Sequence, residues 1–251
     1  MLNITNHLKI APSLDRVMIF WLGGAGFLIK YPDSFSICID PYLSDSVEKL
    51  CGFKRIHQSP IIADALRFDA LFITHEHPDH LDEDIIDILI SRNQNAAIYA
   101  PKSCDKIFDS HGIKYVSVSA GQKMNVNDLK ITVIEADHGN LSPFAVGYVF
   151  EKSGHIIYLT GDTGNNEIIF QTAINCRPDI VLPCINGAYG NLNEQQAAQL
   201  VARCNPAHAI PMHFGLFKEH GGDAKKFKTL VTKTSVKTKV HILAPSEGVE
   251  I

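Results

Sequence analysis

Short apolar runs recur along the whole chain and predict most of its secondary structure. They are rich in Val, Ile, Phe and Tyr and are bounded by Gly, Pro, Asn or Asp, which is typical of β-strands. The predicted strands cover residues 17–22, 26–31, 35–40, 70–74, 96–100, 129–136, 144–150, 155–161, 179–184, 208–212 and 239–244. The glycines of "WLGGAGFLIK" stand between the first two runs, so we predict a tight turn between strands rather than a phosphate-binding loop.

Helical patterns fall between the later runs. Residues 82–92 open with acidic side chains, which suits a helix N-terminus. Residues 193–204 begin with Asn193 as a candidate cap, and residues 223–233 form a third predicted helix. Because the early strands resemble hairpins and the later ones alternate with helices, the pattern predicts an α/β fold with a two-sheet core and outer helices.

Composition and charge narrow the possible functions. The 251 residues are 45% hydrophobic and 20% charged, with no repeat or linker, so we predict a single domain over residues 1–251. The net charge of -4 disfavours nucleic acid as a partner, and we interpret the lysines of 223–239 as a solvated surface. Since we find neither a secretory leader nor an apolar stretch of membrane length, we expect a cytoplasmic protein without membrane association.

Histidine and aspartate side chains stand at the C-terminal ends of five of the predicted strands. Because such strand ends usually meet along one edge of an α/β structure, we expect these side chains to form a site. They are Asp40, His75, the pair Asp137 and His138, Asp162, and His213.

The segment "THEHPDH" at residues 74–80 concentrates candidate metal ligands. His75 and His77 alternate along an extended segment, so their rings can face one point, while Asp79 and His80 follow where the chain turns. A lone histidine at a strand end is more often structural, but this density favours metal ligation. Imidazole and carboxylate groups suit zinc, manganese or iron. His220 lies seven residues after His213 and beside two glycines, so it is a candidate substrate contact.

These motifs resemble those of the metallo-β-lactamase superfamily. "THEHPDH" matches the His-x-His-x-Asp-His signature, and the remaining signature positions follow in order. They are Asp40 in "CIDP", His138 in "ADHG", Asp162 in "TGDT" and His213 in "PMHF". Within the superfamily the chain is most similar to the L-ascorbate-6-phosphate lactonase-like hydrolases, through "WLGGAGFLIK", "YLTGDTGNN" and "INGAYGNLNEQQAAQLV".

The resemblance implies a four-layer αββα sandwich with two divalent metal ions, zinc or manganese. By the family pattern the first metal takes His75, His77 and His138, the second takes Asp79, His80 and His213, and Asp162 bridges them. Asp40 resembles the acid that supports the ligand loop without binding metal.

The implied reaction is a hydrolysis in which a metal-bridging hydroxide attacks a carbonyl carbon or a phosphorus, with Asp79 and Asp162 as the catalytic residues and Asp79 orienting or moving the proton. Two dications outweigh Asp79, Asp162 and the hydroxide by about one positive charge, which favours a small anionic ester, lactone or phosphoester. Asn186, Tyr189 and His220 are the predicted substrate contacts, although structural roles fit Asn186 and Tyr189 equally well.

Three alternatives stay open at this stage. A phosphodiesterase or ribonuclease of the RNase Z type shares the motifs, but this chain is acidic and shows no basic insertion. A thioesterase or other lactonase of the glyoxalase II type shares the ligand set. The third alternative is a non-catalytic, metal-binding regulatory module. The pattern also leaves a homo-oligomer open.

Overall fold

The computed structural model describes residues 2–235 and 237–251, which form two compact units, each with its own β-sheet. The first unit runs to Val118 and adds Leu216–Lys218 and Leu243–Ile251. The second unit comprises Ser119–Gly215 and Glu219–Ile242. The prediction of a single domain over residues 1–251 stays a prediction.

Short strands and helices alternate along the described residues. The strands are β1 (Leu2–Asn3), β2 (Met18–Gly23), β3 (Gly26–Lys30), β4 (Ser36–Ile39), β5 (Ala70–Phe72), β6 (Ala97–Pro101), β7 (Val116–Val118), β8 (Lys123–Val126), β9 (Leu129–Glu135), β10 (Val146–Lys152), β11 (His155–Leu159), β12 (Ile180–Leu182), β13 (His208–Ala209), β14 (Lys239–Val240) and β15 (Glu247–Glu250). The α-helices are α1 (Ser46–Cys51), α2 (Ile86–Arg92), α3 (Asp105–Ser110), α4 (Glu167–Asn175), α5 (Glu194–Cys204) and α6 (Ala224–Thr234). In this part of the chain no helix is both long and apolar enough to cross a membrane.

Each sheet is mixed, with an antiparallel part and a parallel part. The sheet of the first unit has the order β1-β15-β2-β3-β4-β5-β6-β7 and is parallel from β4 to β7. The sheet of the second unit has the order β14-β13-β12-β11-β10-β9-β8 and is parallel from β11 to β14. The two mixed sheets with their helices confirm the predicted α/β class.

Each predicted strand overlaps an observed one, and the predicted turn between the first two strands is confirmed. β2 and β3 form an antiparallel hairpin across the glycines of "WLGGAGFLIK". The helices predicted at 193–204 and 223–233 are α5 and α6, and the side chain of Asn193 caps α5 by accepting from the amides of Gln195 and Gln196.

The predicted helix over 82–92 was wrong at its start, because α2 begins only at Ile86. The carboxylate of Asp82 is buried and accepts hydrogen bonds from the amides of Leu43 and Ser44 and from the hydroxyls of Ser44 and Ser46. Burial raises the pKa of Asp82 above its ordinary value, and these hydrogen bonds oppose that shift. Asp82 therefore anchors the segment after β4 instead of capping a helix.

A histidine pair joins two neighbouring strands of the second unit. His208 opens β13 and His241 follows β14, and Nδ1 of His208 lies 2.9 Å from Nε2 of His241. Burial, and then the nearby charges of His208, Lys239 and Lys228, lower the pKa of His241 to about 4. The folded chain therefore holds His241 neutral.

The histidine pair predicts that the folded protein loses stability at acidic pH. The pKa of His241 is lower in the folded chain than in the unfolded chain, so the unfolded chain binds a proton first as the pH falls. The contribution of His241 to the free energy of unfolding is therefore present above pH 6.5 and is lost as the pH falls towards 4. We expect His241→Gln to reduce the loss of thermal stability of the metal-free protein between these pH values by about 2–4 °C, the effect of about 1 kcal/mol after allowing for partial exposure. If the melting temperatures of the two proteins fell by the same amount from pH 7 to pH 4, His241 would not have this role.

Candidate metal centre

The ends of β4 and β5 bring the first group of predicted site residues together. These strands are parallel neighbours, and the amide of Asp40 donates to the carbonyl of Phe72 at 3.1 Å. Asp40 has a φ of 42°, so the chain turns sharply there and directs the residue to the end of β5. His75 and His80, which follow β5, are fully buried in this unit.

Asp40 fixes the orientation of His80. Its Oδ1 accepts from the amide of Thr74 at 2.8 Å, and its Oδ2 accepts from the hydroxyl of Thr74 at 2.6 Å and from Nδ1 of His80 at 2.8 Å. Since Nδ1 of His80 carries the proton, Nε2 is the nitrogen with a lone pair for a metal. Carboxylates that hold metal-binding histidines act in this way.

Thr74 fixes the tautomer of His75 in the same way. Its hydroxyl donates to Asp40 and therefore accepts from Nδ1 of His75 at 3.0 Å, so Nε2 of His75 has the lone pair. That Nε2 lies 2.9 Å from Nδ1 of His77, and Oδ2 of Asp79 lies 3.9 Å from Nε2 of His80. The first unit thus brings together its four predicted ligands. Thr74 was not identified from the sequence, although it directly precedes the first histidine.

The second unit brings His138 and Asp162 to one edge of its sheet. β9 and β11 flank β10 and run in the same direction, so the residues that follow them lie side by side. The amide of Asp137 donates to the hydroxyl of Thr163 at 2.9 Å, which joins the two loops. Nε2 of His138 lies 3.9 Å from Oδ2 of Asp162.

His213 completes this second group. It follows β13 with a φ of 59°, a left-handed conformation that is uncommon for residues other than glycine and that often marks functional sites. Its Nε2 lies 3.3 Å from Oδ1 of Asp162. Both oxygens of the Asp162 carboxylate, which is 4% exposed, therefore face imidazole nitrogens.

The predicted substrate contacts lie beside His213 in the same unit. The ring of His220 stacks on that of His213, with centroids 4.7 Å apart and an interplanar angle of 27°. The ring of Tyr189 meets His220 edge-on at 5.9 Å. His220 therefore reaches His213, and Tyr189, 46% exposed, extends this group towards solvent.

Asn186 is packed against the segment that follows His220. A Cβ atom at Gly221 would lie 2.4 Å from the carbonyl oxygen of Asn186, so only glycine permits this approach. Asn186 is 3% exposed, and neither atom of its amide group has a hydrogen-bond partner among the described residues. A buried amide in this state is energetically costly.

The donor atoms in each unit fit divalent cations. The first unit offers three imidazoles and a carboxylate, and the second offers two imidazoles and a carboxylate that faces both of them. Zinc and manganese take this mixture of nitrogen and oxygen ligands.

Comparisons with known proteins agree with this chemistry. The family model of the beta-lactamase superfamily domain matches residues 36–214. A UPF0173 protein from Pyrococcus abyssi is 30% identical over 93% of this chain and 99% of its own length. A UPF0173 metal-dependent hydrolase from Archaeoglobus fulgidus is 26% identical over 92% of this chain and 98% of its own.

A solved structure shows the same fold. Igni18, a metallo hydrolase from Ignicoccus hospitalis, superposes with a TM-score of 0.74 at 24% identity, over 94% of this chain and 98% of its own. The chain has the metallo-β-lactamase fold, and it belongs to the beta-lactamase superfamily and, within it, to the UPF0173 family of metal-dependent hydrolases.

Proposed function

We propose that the chain is a dinuclear metal-dependent hydrolase of small anionic esters, lactones or phosphoesters. The ligands are those that the family resemblance implies: His75, His77 and His138 for one metal, Asp79, His80 and His213 for the other, and Asp162 for both. The observation that carries this proposal is the buried Asp162 carboxylate, whose two oxygens each face a histidine Nε2. A carboxylate placed in this way is suited to bridging two cations.

The bound ions would lower the pKa of a water molecule and polarise the substrate oxygen. The protein must also move a proton from that water to the leaving group. The side chain of Asp79 is 14% exposed, compared with 5% for Asp162, so Asp79 is better placed to exchange protons with substrate and solvent. Asp40 and Thr74 hold His75 and His80 in the tautomers that this arrangement needs.

The substrate class follows from charge and from the group around His220. Two dications exceed the negative charge of Asp79, Asp162 and an ionised water by about one unit, which favours an anionic ligand. The amide of Asn186 can donate a hydrogen bond to such a ligand. Beside it, His220 offers a ring nitrogen and Tyr189 an aromatic ring that the ligand can contact. The motif similarity to the ascorbate-6-phosphate lactonases makes sugar-phosphate lactones the first compounds to test.

We expect Asn186→Ala to weaken substrate binding without removing metal. Loss of one hydrogen bond to the substrate should raise KM by about 10-fold, which corresponds to about 1.4 kcal/mol. Steady-state kinetics together with metal analysis of the same samples measure both effects. Asn140→Ala is the control, since Asn140 is exposed and lies two residues from His138. An unchanged KM for Asn186→Ala would exclude Asn186 as a substrate contact.

The proposed function is tested directly with the protein reconstituted in zinc and, separately, in manganese. The panel contains sugar-phosphate lactones, thioesters and bis-p-nitrophenyl phosphate, and we expect turnover of anionic members that ceases on chelation. Turnover of the phosphodiester alone, with tight and salt-sensitive RNA binding, would replace the proposal with a nuclease. Full metal loading with no turnover of any member would favour a regulatory module.

A further inference from the structure

The loop between β12 and α5 supplies a side chain that contacts the Asp162 carboxylate. Nδ2 of Asn191 donates to Oδ2 of Asp162 at 2.7 Å. Both residues are buried, Asn191 at 5% exposure and Asp162 at 4%. Because an ionised carboxylate only accepts hydrogen bonds, the amide must turn its NH₂ group, and not its oxygen, towards Asp162.

The loop that carries Asn191 is fastened to the turn that carries Asp162. The amide of Leu192 donates to the carbonyl of Thr163 at 2.8 Å, so the neighbours of both side chains are joined through the backbone. A Cβ atom at Gly164 would lie 2.9 Å from the carbonyl oxygen of Gly190, so this close approach requires glycine. The contact between Asn191 and Asp162 is therefore flanked by a backbone hydrogen bond and a close backbone approach.

We propose that Asn191 is a positioning residue that fixes the Asp162 carboxylate for metal binding. This inference rests on the proposed function and adds to it the group that orients the bridging ligand. The bond from Asn191 occupies one side of Oδ2 and sets the rotation of the carboxylate, which leaves Oδ1 directed at Nε2 of His213, 3.3 Å away. Without that bond the carboxylate can rotate. The metal then has to order the carboxylate when it binds, which weakens the metal affinity.

The consequence is a metal affinity that depends on a residue outside the ligand set. Partners that orient ligands typically contribute about 10-fold to 100-fold in metal affinity. Asn191 and Asn186 belong to the same loop, and of these two side chains only that of Asn191 donates a hydrogen bond to a predicted metal ligand. Their replacements should therefore have different effects.

The test titrates metal-free protein with Zn²⁺ in competition with a chromogenic chelator. We expect Asn191→Ala to lower the Zn²⁺ affinity by about 10-fold to 100-fold. Asn186→Ala and Asn140→Ala should keep the wild-type affinity. The visible absorption spectrum of the Co²⁺-loaded proteins, which reports the geometry around the ion, should change in Asn191→Ala and not in the two comparison variants.

Melting of the metal-free proteins shows whether each variant folds. If Asn191→Ala does not, Asn191→Ser keeps a small polar side chain whose hydroxyl is one bond too short to reach Asp162, and it should show the same loss of affinity. Wild-type affinity and an unchanged Co²⁺ spectrum in the folded variant would overturn the role of Asn191 alone. Fewer than one Zn²⁺ ion per wild-type chain would overturn the proposed function as well.

Discussion

Replacement of Asp162 by alanine is expected to abolish hydrolysis and to lower the metal content from two ions to about one. Asp162 is the carboxylate that faces both His138 and His213, and in the proposed site it is the one ligand that both ions share. Removal of a group on which the whole site depends typically lowers kcat by at least about 1,000-fold. Kinetics on the reactive member of the substrate panel and metal analysis of the purified variant measure the two effects.

The control for Asp162→Ala is Asp109→Ala, which removes an exposed carboxylate on α3. This variant should keep both metal ions and full activity. If Asp162→Ala retained its metal and its turnover, the bridging role of Asp162 would be wrong, and the site would have to be assembled from other residues.

Replacement of Asp40 by alanine should produce the largest loss of stability. The fully buried carboxylate of Asp40 accepts from the amide and the hydroxyl of Thr74 and from Nδ1 of His80. Each buried donor left without a partner costs about 1–3 kcal/mol. We therefore expect the melting temperature of the metal-free protein to fall by about 10 °C.

Asp40→Asn separates the orienting role of Asp40 from its structural role. The asparagine keeps the shape and one acceptor, so this variant should lose less stability than Asp40→Ala. Its NH₂ group is a donor, however, and cannot accept the Nδ1 proton of His80. A fall in zinc affinity of about 10-fold to 100-fold is expected, as for other partners of metal-binding histidines. Asp45→Ala, which removes an exposed carboxylate without a capping hydrogen bond, is the control. A melting temperature for Asp40→Ala equal to that of Asp45→Ala would show that the Asp40 network contributes no stability.

The strands that the sequence predicted are those whose apolar runs are long enough to be seen. The missed strands β1, β7, β8 and β15 are two to four residues long, and all except β15 are edge strands of their sheets. Their pairing is decided by partners far along the chain, as for Leu2 with Gly248, so no local pattern marks them.

The missed helices have different causes. α1 and α3 are six residues long, which is too short for a helical period to be recognised. In α4 the apolar residues Ile168, Ile169 and Phe170 are consecutive, and Ile168 is 86% exposed, so the amphipathic pattern is obscured. The early start predicted for α2 failed because Asp82, which resembles a helix-capping acid, is used by the segment after β4 instead.

In the site, too, residues in local motifs could be predicted from the sequence, and residues that act on distant partners could not. The predicted ligands stand in compact motifs at strand ends, so their residue types and spacing were visible in the sequence. Thr74 and Asn191 act through hydrogen bonds to residues 34 and 29 positions away. Neither side chain is unusual for its segment, and only the folded chain shows what each one contacts.

The metal content of the purified wild-type protein tests the central claim most directly. The protein is saturated with zinc or manganese, freed of excess ion by gel filtration, and analysed by inductively coupled plasma mass spectrometry against its measured concentration. The proposed site predicts two ions per chain, both released by a chelator. A value of about one ion per chain or less under these conditions would contradict the dinuclear site and the hydrolytic mechanism built on it.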